Sequence, residues 1–178
     1  WLPFNRPGHW ADPDMLVIGM VGWGPKLHYT QLTADEQYTH ISLWSLLASP
    51  RLIGCDIAQM DDFTMSLLTN DEVNDVNQDP LGIQAYPVWQ ENKQVIYAKH
   101  LEDGSMAIGF FNQDSQPAKM GISLRQLGLR GEQTVRDLWQ QKDLMKTSDH
   151  FETEVASHGV VLVKFLPGNS RAQITEKP

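Results

Sequence analysis

The sequence predicts two architectures in series, an α/β segment followed by an all-β one. Residues 33–77 read as helix, strand, helix. Near Pro80 the pattern changes, and beyond it apolar residues recur with a period of two. Several short strand candidates then follow without a helical stretch between them, which implies an antiparallel sandwich or barrel.

Each element has a local reason. Thr33 followed by Glu36 is a capping box, in which each side chain bonds the other's backbone N–H. Behind it Tyr38, Ile41, Trp44 and Ala48 repeat at helical spacing, and Pro50 stops the helix. "RLIGCD", Arg51–Asp56, is short, mostly apolar and bounded by breakers, which suits a buried parallel strand. Asp61 can cap a helix running to Leu68, and Asn70 another that carries Val73 and Val76 on one face. The acidic pairs Asp61-Asp62 and Asp71-Glu72 suit helix N-termini, where the dipole favours negative charge. Helix, strand, helix with a polar residue ending the strand is the rhythm of an α/β barrel or a doubly wound sheet. After "NQDPLG" the strand candidates are "VIYAKHL", "SMAIGFF", "KMGISL", "TVRDLW", "HFETEV" and "VVLVKFL". Glu102-Asp103-Gly104 and Ser157-His158-Gly159 mark turns. The sandwich core is expected around Val95, Ile96, Ile108, Phe110, Leu138, Trp139, Val161 and Val163. No fixed-period repeat is evident, and the last eight residues read as a loose polar tail.

Composition is that of a globular protein, with 41% hydrophobic and 20% charged residues. A net charge of −8 argues against binding a phosphate backbone, which needs clustered Lys and Arg, so no nucleic-acid partner is expected. No apolar run approaches the roughly 18 residues of a membrane span. The chain opens at Trp1 without Met, a charged leader or a long apolar stretch, so we expect no signal peptide in it and read it as part of a longer polypeptide. One cysteine, Cys55, cannot form an internal disulfide.

The stretch "GHWADPDMLVIGM" places Asp12 and Asp14 one residue apart before an apolar run. On an extended chain they would face one side, about 7 Å apart. Glycoside hydrolysis uses two carboxylates about 5–5.5 Å apart for retention or ~6.5–9.5 Å for inversion. The residues alone leave two readings open, a catalytic pair or a polar loop and capping feature. Two carboxylates fixed at i and i+2 are, however, poorly placed to reach opposite faces of one anomeric carbon.

Other candidates are weaker. Six histidines (His9, His28, His40, His100, His150 and His158) show no metal-binding spacing. Neither a glycine-rich nucleotide loop nor a nucleophile elbow occurs, so neither metal nor cofactor is expected. Cys55 reads as a small buried hydrophobe rather than a nucleophile. Asp56 reads as a turn or cap residue first and a rim contact second. Trp10 and Trp23 lie in loops where aromatics either stack on sugars or pack the loop.

"WADPDMLVIG", "LTADEQYTHISLWSLLASPRLIGCDI" and "LLTNDEVNDVNQDPLG" together resemble the last third of the catalytic barrel of glycoside hydrolase family 27, the α-galactosidases and α-N-acetylgalactosaminidases. The likeness is greatest to bacterial members. "VRDLW" and "SHGVVLVKF" resemble the β-sandwich appended to those enzymes. The resemblance implies that residues 1–82 supply the last two β/α units of a (β/α)8 barrel and that residues 83–178 form a C-terminal antiparallel β-sandwich. It implies that Asp14 hydrogen-bonds sugar hydroxyls and that Met15 lines the pocket, and we expect Asp12 to hold the loop. The nucleophile and acid/base aspartates would come from earlier barrel strands whose motifs are absent here, so no catalytic residue is expected in this chain. The parent would be a retaining hydrolase acting on terminal α-linked galactose and exported from a bacterium. The chain by itself would be inactive, its partners a small carbohydrate and either the missing N-terminal part or a second copy. The competing reading is a non-catalytic carbohydrate-binding or structural module centred on the sandwich.

Overall fold

The computed structural model describes residues 5–22 and 26–168. The expectations for Trp1, Trp23 and the last eight residues fall outside them. A loop leads through residues 5–19 to a small antiparallel hairpin of Met20–Val21 (β1) and His28–Tyr29 (β2). Helix α1 (Ala34–Leu46) follows and starts at the expected capping box. The Thr33 N–H donates to Glu36 Oε2 at 2.8 Å and the Glu36 N–H to Thr33 Oγ1 at 3.3 Å. These bonds to Thr33 hold the Glu36 carboxyl below the usual carboxylate range. Helix α2 (Asp62–Thr69) is capped by Asp61 and α3 (Asp71–Asn77) by Asn70, whose side-chain oxygens accept N–H groups at 2.8 and 3.0 Å.

The rest of the described chain is antiparallel sheet. Six strands lie in the order β3 (Tyr86–Glu91), β4 (Gln94–His100), β5 (Met106–Asn112), β10 (Val160–Pro167), β7 (Gln133–Asp137) and β8 (Lys142–Thr147). A two-stranded sheet, β6 (Ala118–Ser123) with β9 (His150–Val155), covers one face. All six strand candidates are found. Strands β3 and β8 were not among them because they are the sheet edges. Each pairs on one side only, and β8 is exposed over most of its length, so neither needs an alternating apolar pattern.

Strand β5 explains the arrangement. All seven of its residues are buried because both faces of the sheet are covered. Ile108 and Phe110 point into a core with Ile96, Val163 and Phe165 from the same sheet and Ile122 and Phe151 from the cover sheet. Ala107 and Phe111 belong instead to a second core, shared with Ile41 and Leu46 of α1, Val73 and Val76 of α3, and Leu138 and Leu162. The helices therefore dock on the back of the sheet. Gly109 makes the close approach possible, since a Cβ there would lie 2.5 Å from the Leu46 side chain and from the Phe111 ring. Of the anticipated sandwich-core residues, Ile96, Ile108, Phe110 and Val163 are buried under the cover sheet, with Val161 at the margin. Val95 and Leu138 are buried, and Trp139 half-buried, in the helix-facing core instead, because they point to the other face of the sheet.

One element differs from expectation. Arg51–Asp56 is not a buried strand: it makes a single parallel bridge, Ile53 to Leu16. The flanking hydrogen bonds are Leu16 N–H to Leu52 O at 2.7 Å and Gly54 N–H to Leu16 O at 3.1 Å. Leu52 is 52% exposed and Ile53 47%, because a parallel strand needs neighbours on both edges and helices on both faces, and the described residues supply only part of that cover.

Candidate functional site

The segment 12–17 forms a lip against the middle and C-terminal half of α1. It is not the extended strand that alternation alone suggests. Asp14 sits at φ 77°, the left-handed region that non-glycine residues rarely adopt. The Asp12 carboxylate turns inward, and its Oδ1 accepts the Asp14 N–H at 3.0 Å. Asp12 is thus engaged in shaping the turn. Asp14 Oδ1 accepts the Met15 N–H at 2.7 Å, and among the described residues its Oδ2 has no bonding partner. The Asp14 side of the lip is exposed, whereas Met15 is half-buried.

Met15 rests on bare backbone. A Cβ on Gly54 would fall 2.7 Å from Leu16 O and 2.7 Å from Met15 Sδ. The glycine of "LIGCD" is thus what allows the second segment to lie against the lip, and it fixes where the Met15 thioether sits.

Two α1 residues back the lip, although periodicity marked only Trp44 and only as a core residue. The Trp44 indole N–H donates to Asp14 O at 3.1 Å, and the Val17 N–H donates to His40 Nε2 at 3.2 Å. The two rings pack with centroids 4.0 Å apart. Burial pushes the His40 pKa below the ordinary histidine value.

The remaining candidates have structural roles. Asp56 caps a 3-10 turn (Ile57–Gln59), its Oδ1 accepting the Ala58 N–H at 2.9 Å. Trp10 donates its indole N–H to Gly82 O at 3.2 Å and packs the loop. Cys55 is buried, and burial pushes its thiol up, away from the reactive thiolate. Among the described residues no three His, Cys, Asp or Glu side chains gather as a metal site. Nor is any helix there long and apolar enough to cross a membrane.

The "VRDLW" motif also finds its purpose. Arg136 on β7 makes a bidentate pair with Glu72 of α3 at 2.7 and 2.8 Å. Leu138 and Trp139 offer their carbonyls to the Asn70 side chain at 3.1 and 3.2 Å, and the Trp139 indole donates to Ser42 Oγ at 2.9 Å. The motif is a docking seam between sheet and helices.

Comparison with known proteins places these features. The family model described as "Alpha galactosidase A" matches residues 2–79, and "Alpha galactosidase C-terminal beta sandwich domain" matches residues 91–165. An α-galactosidase of Cyamopsis tetragonoloba is 36% identical over 166 residues, covering 92% of this chain and 38% of that protein. An α-N-acetylgalactosaminidase of Gallus gallus is 30% identical over 93% of this chain and 40% of its own length. The crystal structure of a family 27 β-L-arabinopyranosidase from Geobacillus stearothermophilus superposes with a TM-score of 0.86 at 34% identity, covering 92% of this chain and 38% of that one. The chain thus spans well under half the length of the relatives it matches.

Proposed function

Because the chain belongs to glycoside hydrolase family 27, we propose that it is the C-terminal part of a retaining glycosidase that releases terminal α-linked galactose, with residues 1–82 closing a (β/α)8 barrel and residues 83–178 forming the sandwich. Its similarity is to plant and animal enzymes as well as bacterial ones, so bacterial origin and export rest on the sequence resemblance alone. Asp14 and Met15 are the sugar-binding residues of this chain in our reading. The observation that carries this is the lip itself: a carboxylate held in an uncommon backbone conformation, with one oxygen bound locally and the other directed to no described neighbour. A charged acceptor so fixed suits paired sugar hydroxyls, because it is oriented before the ligand arrives.

The nucleophile and acid/base are supplied in this reading by earlier barrel strands, and those same strands cover Leu52, Ile53 and Val17, which are 42–52% exposed here. In this reading galactose and N-acetylgalactosamine differ at the 2-position, which an earlier barrel segment would contact, so the choice between them lies outside this chain. The test is kinetic. The complete gene product should hydrolyse p-nitrophenyl α-galactoside, while the 178-residue chain should match an enzyme-free control. Asp14→Asn in the complete protein should lower kcat/KM roughly tenfold to a hundredfold, as expected for losing a charge-assisted hydrogen bond. Unchanged kinetics would remove Asp14 from the site, and turnover by the short chain would overturn the assignment of the catalytic pair.

A further inference from the structure

The Asp14 lip has little packing of its own. Asp12, Pro13 and Asp14 are all exposed, and two of the bonds that shape the turn come from Asp12 and from Asp14 itself. Such local bonds select a turn but do not fix where it lies relative to the rest of the fold. Leu16 is tied to Leu52 and Gly54, and the Thr30 hydroxyl to the Val17 carbonyl, but these partners are loop residues. At Asp14 and Val17 the two bonds to a regular element both come from one helix. His40 and Trp44 are four residues apart on α1, so they share a face. The indole N–H holds the Asp14 carbonyl, and the imidazole Nε2 holds the Val17 N–H three residues further on. Their rings pack against each other. The helix beneath them is anchored by its capping box and by Ile41 and Leu46, which have no exposed surface.

We propose that Trp44 and His40 are positioning residues, a two-point clamp through which α1 fixes the backbone of residues 14–17 and so aims the Asp14 carboxylate. The clamp is a claim about loop geometry; only its consequence for sugar recognition rests on the reading of Asp14 given above. Each contact is chemically specific. Phenylalanine in place of Trp44 keeps an aromatic ring but has no N–H to donate. The imidazole must accept at Nε2, so its proton lies on Nδ1, and a second proton would turn the acceptor into a donor facing a donor. Burial favours the neutral ring. The ionisable groups that share the groove with His40 are Glu36 of the same helix, Tyr97 of β4 and His158 of the turn before β10.

The test uses the full 178-residue chain, labelled with 15N, and reads amide exchange by NMR. Trp44→Phe frees the Asp14 carbonyl and leaves the Asp14 N–H its own acceptor, Asp12 Oδ1, so exchange at Asp14 should quicken about fivefold only because the turn opens more readily. His40→Leu should speed exchange at Val17 about fivefold by removing that N–H's own acceptor. His40→Gln should restore slow exchange at Val17, because the glutamine carbonyl can accept in place of Nε2. In the unmodified chain the Val17 amide should shift with the His40 titration, at a pH below the ordinary histidine range. Unchanged exchange at Asp14 in Trp44→Phe, or identical behaviour of His40→Gln and His40→Leu, would reduce these residues to packing and overturn the clamp. Failure of the sugar-binding reading is separable: it shows as unchanged kinetics of Asp14→Asn in the complete enzyme, whatever the exchange pattern. If both hold, Trp44→Phe in that enzyme should raise KM severalfold with kcat nearly unchanged.

Discussion

The two faces of the six-stranded sheet carry different kinds of core. Toward β6 and β9 the core is built by one continuous stretch of chain, with Ile96, Ile108, Phe110, Phe151, Val163 and Phe165 closing on one another. Toward the helices the sheet supplies only half, and α1 and α3 bring Ile41, Leu46, Val73 and Val76 to complete it. Beyond those helices a third layer is begun and not closed, where Leu16 and Ile18 are buried but Leu52 and Ile53 are half in solvent. Order in this molecule therefore declines from the cover sheet outward: a closed core, then a borrowed one, then an open edge. The lip that carries Asp14 sits in the outermost layer, yet it is tied by Trp44 and His40 to the middle one.

The sharpest way to break this comparison is to remove one large side chain from each core. Phe110→Ala should cost about 3–5 kcal/mol and Ile41→Ala about 2–5 kcal/mol. Against the roughly 5–15 kcal/mol of a typical domain, the first should weaken everything, because both other layers lean on the same sheet. Ile41→Ala should act locally, with amide protection lost over 34–77 and kept over 94–166. Loss of protection in both stretches at once would show that the helices and the sandwich unfold as a single unit.

That ordering also decides what was legible in the sequence. The inner strands were legible because their alternation is enforced by a core on each side, and α1, α2 and α3 because Thr33, Asp61 and Asn70 announce their starts. The edge strands β3 and β8 were not, since each pairs on one side only and none of their residues is fully buried. Arg51–Asp56 misled for a related reason: its apolar pattern records a burial that the described residues do not provide. At the lip, the motif resemblance pointed to Asp14 and Met15. The spacing of Asp12 and Asp14 assumes an extended chain and cannot foresee the positive φ at Asp14. The backing role of His40 left no pattern at all, as one ring nitrogen meeting one amide has no periodicity.

The seam between helices and sheet contains a charge that can sharpen the comparison further. Lys99 on β4 has no exposed surface, and its ammonium donates to Ser45 O at 3.3 Å and to Val76 O, carbonyls at the ends of α1 and α3. Burial lowers its pKa to about 8, opposed by the charge of Asp79. Below pH 8 the folded and unfolded chains both hold the proton, so this group gives no pH dependence there. Between about 8 and the ordinary lysine value near 10.4 the unfolded chain binds the proton and the folded chain does not, so stability should rise with pH. The gain is on the order of 2–3 kcal/mol across that window. Urea unfolding at pH 7.5 and pH 10 should show the rise in the unmodified chain and its absence in Lys99→Met. A parallel rise in both would mean that another group is titrating.

The smallest expected effect tests the open edge. Ile53 belongs to the segment whose composition demands burial, yet it is 47% exposed and contributes one bridge. Thr is β-branched like Ile, so Ile53→Thr keeps the backbone preference and changes mainly the apolar surface. In this chain the substitution should cost less than about 0.5 kcal/mol, the usual range for an exposed position. Its solubility should improve, because an unpaired apolar edge invites other strands. In the complete protein, with the earlier barrel strands in place on our reading, the same change should cost on the order of 1–3 kcal/mol, as expected for a hydroxyl buried without a partner. Thermal unfolding of the two lengths, each with and without Ile53→Thr, measures the difference directly. Equal costs would mean that nothing further covers this edge, and the expectation that residues 1–82 complete a barrel would lose its physical basis.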